Sequence, residues 1–168
     1  SFESLKEIPS IDGPKFVFTH INAPHPPYLY DRFGNDTNYK PIDHLALKTK
    51  EEIEIAKPRF IDYLLHTNNL IKDAINEIIS KYDVDNQPVI ILASDHGPTS
   101  VGIAAWDNIK LENLKERMGI LNAFYFPNIN NESNFYNSIS PVNTFRFLFN
   151  NYFNTNIKIL PDSSYFST

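Results

Sequence analysis

Apolar and polar positions follow two different periods along this chain, and each period predicts elements. From Phe60 to Ile78, the residues Phe60, Leu64, Ile71, Ala74, Ile75 and Ile78 recur at helical spacing, while Asp62, Lys72, Asp73 and Glu77 fall on the opposite face. Such a stripe, at about 1.5–3 kcal/mol per fully buried side chain, suffices to dock a helix on a sheet. Upstream, Thr49-Lys50-Glu51-Glu52 has the form of a capping box, and Pro58 predicts either a kink or the start of a second helix. Three runs read as strands: KFVFTH (15–20), PVIILAS (88–94) and ILNAFYFP (120–127), the last stopped by Pro127. PVIILAS is continuously apolar, the pattern of a strand covered on both faces in a parallel sheet. LENLKERMG predicts a short helix ended by Gly119, and SPVNTFRFLFNNYF a helix with Ser140 as N-cap and Pro141 at its first position. Phe145, Leu148, Phe149, Tyr152 and Phe153 would line one face of that helix, and IKIL (157–160) would add a short last strand. Strands alternating with helices predict an α/β fold, a mostly parallel sheet flanked by helices, in one domain over residues 1–168.

Between the first strand and the long helix lies INAPHPPYLYDRFGND, where Pro24, Pro26 and Pro27 predict a loop of stiff shape. A second loop, rich in asparagine, covers 128–137; Asn131-Glu132-Ser133 and Asn35-Asp36-Thr37 each fit a glycosylation sequon. Composition narrows the class. With 42% hydrophobic and 21% charged residues the chain reads as globular rather than disordered. A net charge of −5 and no basic cluster speak against a nucleic-acid partner. Cysteine is absent, which removes disulfides and thiolate metal sites from consideration. No apolar run approaches the roughly 20 residues of a membrane span, and no signal peptide is recognisable. The start SFESLKEIPS, without an initiator Met, raises the expectation of a piece of a longer protein.

The chemistry concentrates where strands end. In parallel sheets ligands gather beyond the C-terminal strand ends. Here one strand ends in a loop carrying His20 and His25, and another in Ser94-Asp95-His96-Gly97. If the two strands are neighbours, these groups meet at one rim. A carboxylate beside an imidazole suits a divalent cation such as Zn or Mn, and Gly97 lets the backbone turn without a Cβ. The plainer alternative makes Asp95 a cap for the next segment and His96 an ordinary loop histidine.

SDHG after an apolar strand, preceded by HINAPHPPY and followed by ERMGILNAFYFP and SPVNTFRFLFNNYF, resembles the C-terminal half of the sulfatase/alkaline-phosphatase-like superfamily. In style it is similar to bacterial sulfatase-like proteins that include membrane-anchored phosphoglycerol and phosphoethanolamine transferases. The resemblance runs from about Lys15 to Phe166. It implies a partial sheet, with the N-terminal half of the domain missing. It implies that Asp95 and His96 ligate a divalent metal (Zn, Mn, Ca or Mg). It also implies that His25 faces the sulfuryl or phosphoryl group being transferred. His20 could reach the same rim or be a satisfied histidine at a strand end. Tyr28 reads as packing, Asn143 and Arg146 as helix residues without chemistry, and His44 and His66 as ordinary polar positions. An extracytoplasmic catalytic half on a membrane anchor is the arrangement the resemblance implies for a parent protein.

The sequence departs from the family in one respect. Members carry a nucleophilic Thr, Ser or modified Cys, with further acidic ligands, before the PH.P loop. SFESLKEIPSIDGP holds no comparable segment; Ser1, Ser4 and Ser10 merely have hydroxyls, and Thr19 falls within a strand-like run. The expected function is therefore part of a metal-dependent sulfatase-like hydrolase or phosphoryl transferase, inactive alone. The alternative is a non-catalytic module with a degenerate anion or metal site. A third possibility, another metallohydrolase built on His20, His25, His44 or His66, lacks a compact ligand motif such as H-E-x-x-H. Exposed strand edges of a cut sheet would favour self-association.

Overall fold

A computed structural model describes residues 2–39, 49–98, 110–129 and 136–165. The chain divides into two compact units, one made of Ser1–Gln87 with Thr99–Asn113, the other of Pro88–Pro98 with Leu114–Thr168.

In the first unit, α1 (Phe2–Glu7) packs on α2 (Lys50–Ser80), a helix of 31 residues. The capping box is formed: Glu52 N–H donates to Thr49 Oγ1 at 3.1 Å, and Thr49 N–H donates to Glu52 Oε2 at 3.0 Å. These bonds satisfy donors that the first turn leaves orphaned. Pro58 lies inside a helix that continues past it, so no second helix starts there. Ala56, Tyr63, Thr67 and Ala74 are buried, a line that includes one residue of the expected stripe; the other five stripe residues are half-buried. Thr67, a polar residue on this line, is satisfied by donating Oγ1 to Tyr63 O at 2.8 Å. The unit contains no strand among its described residues, only the isolated bridge Tyr30–Asp36, so α2 docks on α1 and the 28–37 loop rather than on a sheet of its own unit. Arg32 anchors that loop through an ion pair with Asp62 on α2, Nη2 to Oδ1 2.5 Å.

The second unit contains a two-stranded sheet. β1 (Ile90–Ala93) and β2 (Asn122–Tyr125) pair antiparallel, with Ile90 opposite Tyr125 and Ala93 opposite Asn122. Ser94 N–H continues the ladder to Leu121 O at 2.9 Å, and Leu121 N–H returns to Ser94 Oγ at 2.9 Å. Before β2 comes α3 (Leu111–Met118), part of this unit from Leu114 on; α4 (Pro141–Tyr152) follows. The core forms around Phe126, which stacks on Phe147 of α4 at 5.9 Å and meets Tyr152 edge-on at 6.0 Å. Tyr152 keeps its hydroxyl satisfied by donating to Pro127 O at 2.6 Å.

Four expectations are corrected. The sheet is antiparallel and two-stranded, not mostly parallel and flanked by helices. A short continuous apolar run fixes that a segment is buried, not which direction its partner runs, and β1 is in any case only partly covered. Residues 15–20 form no strand: they are exposed throughout, Phe16 at 85% and Phe18 at 84%. The argument that parallel neighbours carry His20, His25, Asp95 and His96 to one rim thereby loses its basis. On α4 the buried residues are Asn143, Thr144 and Phe147, whereas Phe145, Phe149 and Phe153 are exposed and touch one another along the outer face.

The fourth correction concerns 157–160, which is held without being a strand. Asn150 Nδ2 donates to Ile157 O at 2.8 Å, and Ile157 N–H donates to Asn150 Oδ1 at 2.7 Å. Asn143 does the same for Leu160, with Nδ2 to O 2.8 Å and N–H to Oδ1 2.9 Å. A primary amide offers the same donor and acceptor as a peptide group, so two asparagines of α4 replace the strand partner. Ser140 sits at the N-cap position as expected, but its hydroxyl donates to Asp162 Oδ1 instead of accepting from α4.

Candidate functional site

His20 and His25 belong to the first unit, Asp95 and His96 to the second. His20 is exposed in an extended, unpaired stretch. His25 lies in the proline loop between the cis peptides Ala23–Pro24 and Pro26–Pro27. Its N–H donates to Asn22 O at 2.9 Å, and ring Nδ1 donates to Pro26 O at 2.7 Å. The carbonyl partner places the proton of a neutral ring on Nδ1. Tyr28 packs edge-on against Phe60 of α2, centroids 6.2 Å apart, and burial pushes its hydroxyl pKa up. His66 lies 5.4 Å from the Tyr30 ring and lines a cleft of about 410 Å³ with Phe2, Tyr30 and Tyr63. His44 and Asn131–Ser133 lie outside the described residues. Of the other sequon, Asn35 spends its amide on Asp31 Oδ2.

The Asp95–His96 pair is shaped by the turn that leaves β1. Gly97 is buried and donates its N–H to Arg117 O at 2.7 Å, tying the turn to the last turn of α3. A Cβ on Gly97 would sit 2.1 Å from Glu116 O and 2.7 Å from Gly119 O. Glycine is required there by close backbone approach rather than by an unusual φ. Asp95 divides its carboxylate: Oδ1 accepts His96 N–H at 2.9 Å, while Oδ2 stands 3.5 Å from His96 Nε2. The Asp95 side chain is 86% exposed and that of His96 43%.

This spacing fits a shared cation. Two ligand atoms about 2.0–2.1 Å from a tetrahedral Zn²⁺ lie roughly 3.3 Å apart, close to the 3.5 Å observed. Ligating histidines commonly donate their second ring N–H to a carbonyl, and Gly97 O lies 2.9 Å from Nδ1. Among the described residues no group of three or more His, Cys, Asp or Glu side chains could hold a metal, so the described residues offer this pair as two ligands.

Sequence reasoning missed Arg117. Its Nη1 lies 2.6 Å from His96 Nδ1 and 3.2 Å from Gly97 O. No local signal marks it, because a basic residue in the last turn of a helix is ordinary dipole chemistry. Asn143 is fully buried and binds Leu160, Asp162 and Tyr136, and Arg146 donates to Val142 O of its own helix. No described helix is long and apolar enough to cross a membrane.

No family model matches the chain, and no solved structure does. The chain is similar to a protein named endo-4-O-sulfatase from Bacteroides thetaiotaomicron, 31% identical over 94 residues. The match takes in 51% of this chain and 18% of that relative, so it spans less than a fifth of the relative's length.

Proposed function

We propose that this chain is part of a metal-dependent, sulfatase-like hydrolase or phosphoryl transferase, to which it contributes a divalent-cation site. The observation that carries the reading is the Asp95–His96 pair, with Oδ2 and Nε2 3.5 Å apart beyond β1, in a chain similar to a sulfatase. A divalent cation bound there would offset the negative oxygens of a sulfate or phosphate ester. Asp95 contributes the anionic ligand and His96 the neutral one, the turn at Gly97 holding them side by side. The resemblance assigns His25 contact with the transferred group; with Nδ1 donating to Pro26 O, its Nε2 can donate to an anionic oxygen only in the protonated ring. A sulfate ester is the substrate class that the relative's printed name favours. No segment of these 168 residues resembles the family's nucleophile, so the chain is assigned no turnover of its own.

Calorimetric titration with Zn²⁺ or Mn²⁺ tests the reading. Weak binding, abolished by Asp95→Asn and by His96→Ala, is expected, because two protein ligands leave most positions to water. Equal binding by wild type and both variants would refute the site. Hydrolysis of nitrophenyl sulfate or phosphate should stay at background; turnover that disappears in His96→Ala would instead show a complete enzyme.

A further inference from the structure

His96 faces two demands on one ring. Arginine only donates hydrogen bonds, so Arg117 Nη1, 2.6 Å away, needs a lone pair on His96 Nδ1. The proton of the neutral ring then sits on Nε2, the nitrogen facing Asp95 Oδ2, and Gly97 O, which would otherwise take a proton from Nδ1 at 2.9 Å, accepts from the same Nη1 at 3.2 Å. A cation between Nε2 and Asp95 needs the reverse: the lone pair on Nε2 and the proton on Nδ1, with Gly97 O as its acceptor at 2.9 Å. With that proton on Nδ1, Arg117 Nη1 would stand donor against donor at hydrogen-bond distance. A guanidinium this close would also repel the incoming cation.

We propose that Arg117 is a positioning residue that competes with the metal, holding His96 in the tautomer whose Nε2 cannot ligate until the guanidinium withdraws. The proposal rests on the metal-site reading of Asp95 and His96. Withdrawal gives up the Nη1 bond to Gly97 O but leaves the turn tied, because Gly97 N–H donates to the Arg117 main-chain carbonyl. Replacing the side chain therefore leaves that bond in place.

The test uses the ¹⁵N-labelled 168-residue chain as wild type, Arg117→Met and His96→Ala. In metal-free protein, long-range ¹H–¹⁵N spectra should show His96 as the Nε2–H tautomer in wild type and as Nδ1–H in Arg117→Met. Zn²⁺ should bind Arg117→Met on the order of tenfold more tightly than wild type, the scale of other effects next to metal ligands, and this gain should be absent from His96→Ala. An Nδ1–H ring in metal-free wild type, or zinc affinity unchanged or weaker in Arg117→Met, would overturn the proposal. If circular dichroism shows Arg117→Met unfolded, the wild-type tautomer decides alone. Equal zinc binding by both proteins refutes the role of Arg117 only, whereas no binding by either removes the metal site and this role with it.

Discussion

Gly97 has no room for a side chain, since a Cβ there would sit 2.1 Å from Glu116 O and 2.7 Å from Gly119 O. Gly97→Ala would drive a methyl into main chain that cannot rotate away, and we expect a loss of about 3 kcal/mol, at the upper end of overpacking costs. Urea unfolding monitored by circular dichroism measures it. Asp162 shows a different kind of residue-scale control. Hydrogen bonds from Ser140, then from Tyr136, with those from the Ser140 N–H and Asn143, lower its pKa to about 2 from an ordinary 3.8. A carboxyl with a lowered folded-state pKa stabilises the fold above its unfolded value, and that contribution is lost as pH falls through the folded one. Wild type should therefore lose stability between about pH 4 and pH 2, and Asp162→Asn should lack this part of the slope. An identical slope in denaturant midpoints across that range would contradict the assignment.

At the scale of elements, α4 separates what a periodic pattern reveals from what it conceals. Ser140 and Pro141 mark its start, as cap and first-turn chemistry dictate. Its aromatic residues are dense enough to suggest a buried face almost anywhere: of the expected stripe Phe145, Phe149 and Phe153 face outward, while Leu148 and Tyr152 are half-buried and Tyr152 meets Phe126 in the core. The buried face is defined by Phe147, 4% exposed, and by the polar pair Asn143 and Thr144, which no hydrophobic count would select. Phe147→Ala should accordingly cost about 3–5 kcal/mol, and Phe149→Ala less than about 1 kcal/mol. Thermal denaturation of the two variants compares the faces directly. The long helix was more legible, since a capping box is local and announces itself within four residues. Strand pairing is not local: β1 and β2 lie inside the expected runs 88–94 and 120–127, which overshoot them by one or two residues at each end, and nothing within either segment encodes the direction of its partner.

For the whole molecule, exposed apolar residues are the feature with most bearing on solution behaviour. Phe16, Phe18 and Phe33 are each more than 80% exposed, and the outer face of α4 adds Phe145, Phe149 and Phe153. Contiguous exposed apolar surface favours association. Light scattering after size exclusion should show a mass rising with concentration, and a strictly monomeric mass at high concentration would refute this. The candidate site was legible to the extent that Asp95 and His96 are adjacent in sequence. What stayed hidden was Arg117, brought to His96 from 21 residues away by the end of α3.

The two asparagine clips on α4 impose a length constraint on the chain. Seven helical steps from Asn143 to Asn150 advance roughly 10 Å, and three extended steps from Ile157 to Leu160 cover nearly the same distance. The helix and the tail act as two rulers with different gradations that coincide at both marks. Homologous chains could change many side chains in these stretches, but one inserted or deleted residue in either would put the marks out of step and part the enclosed amide of Asn143 from Leu160.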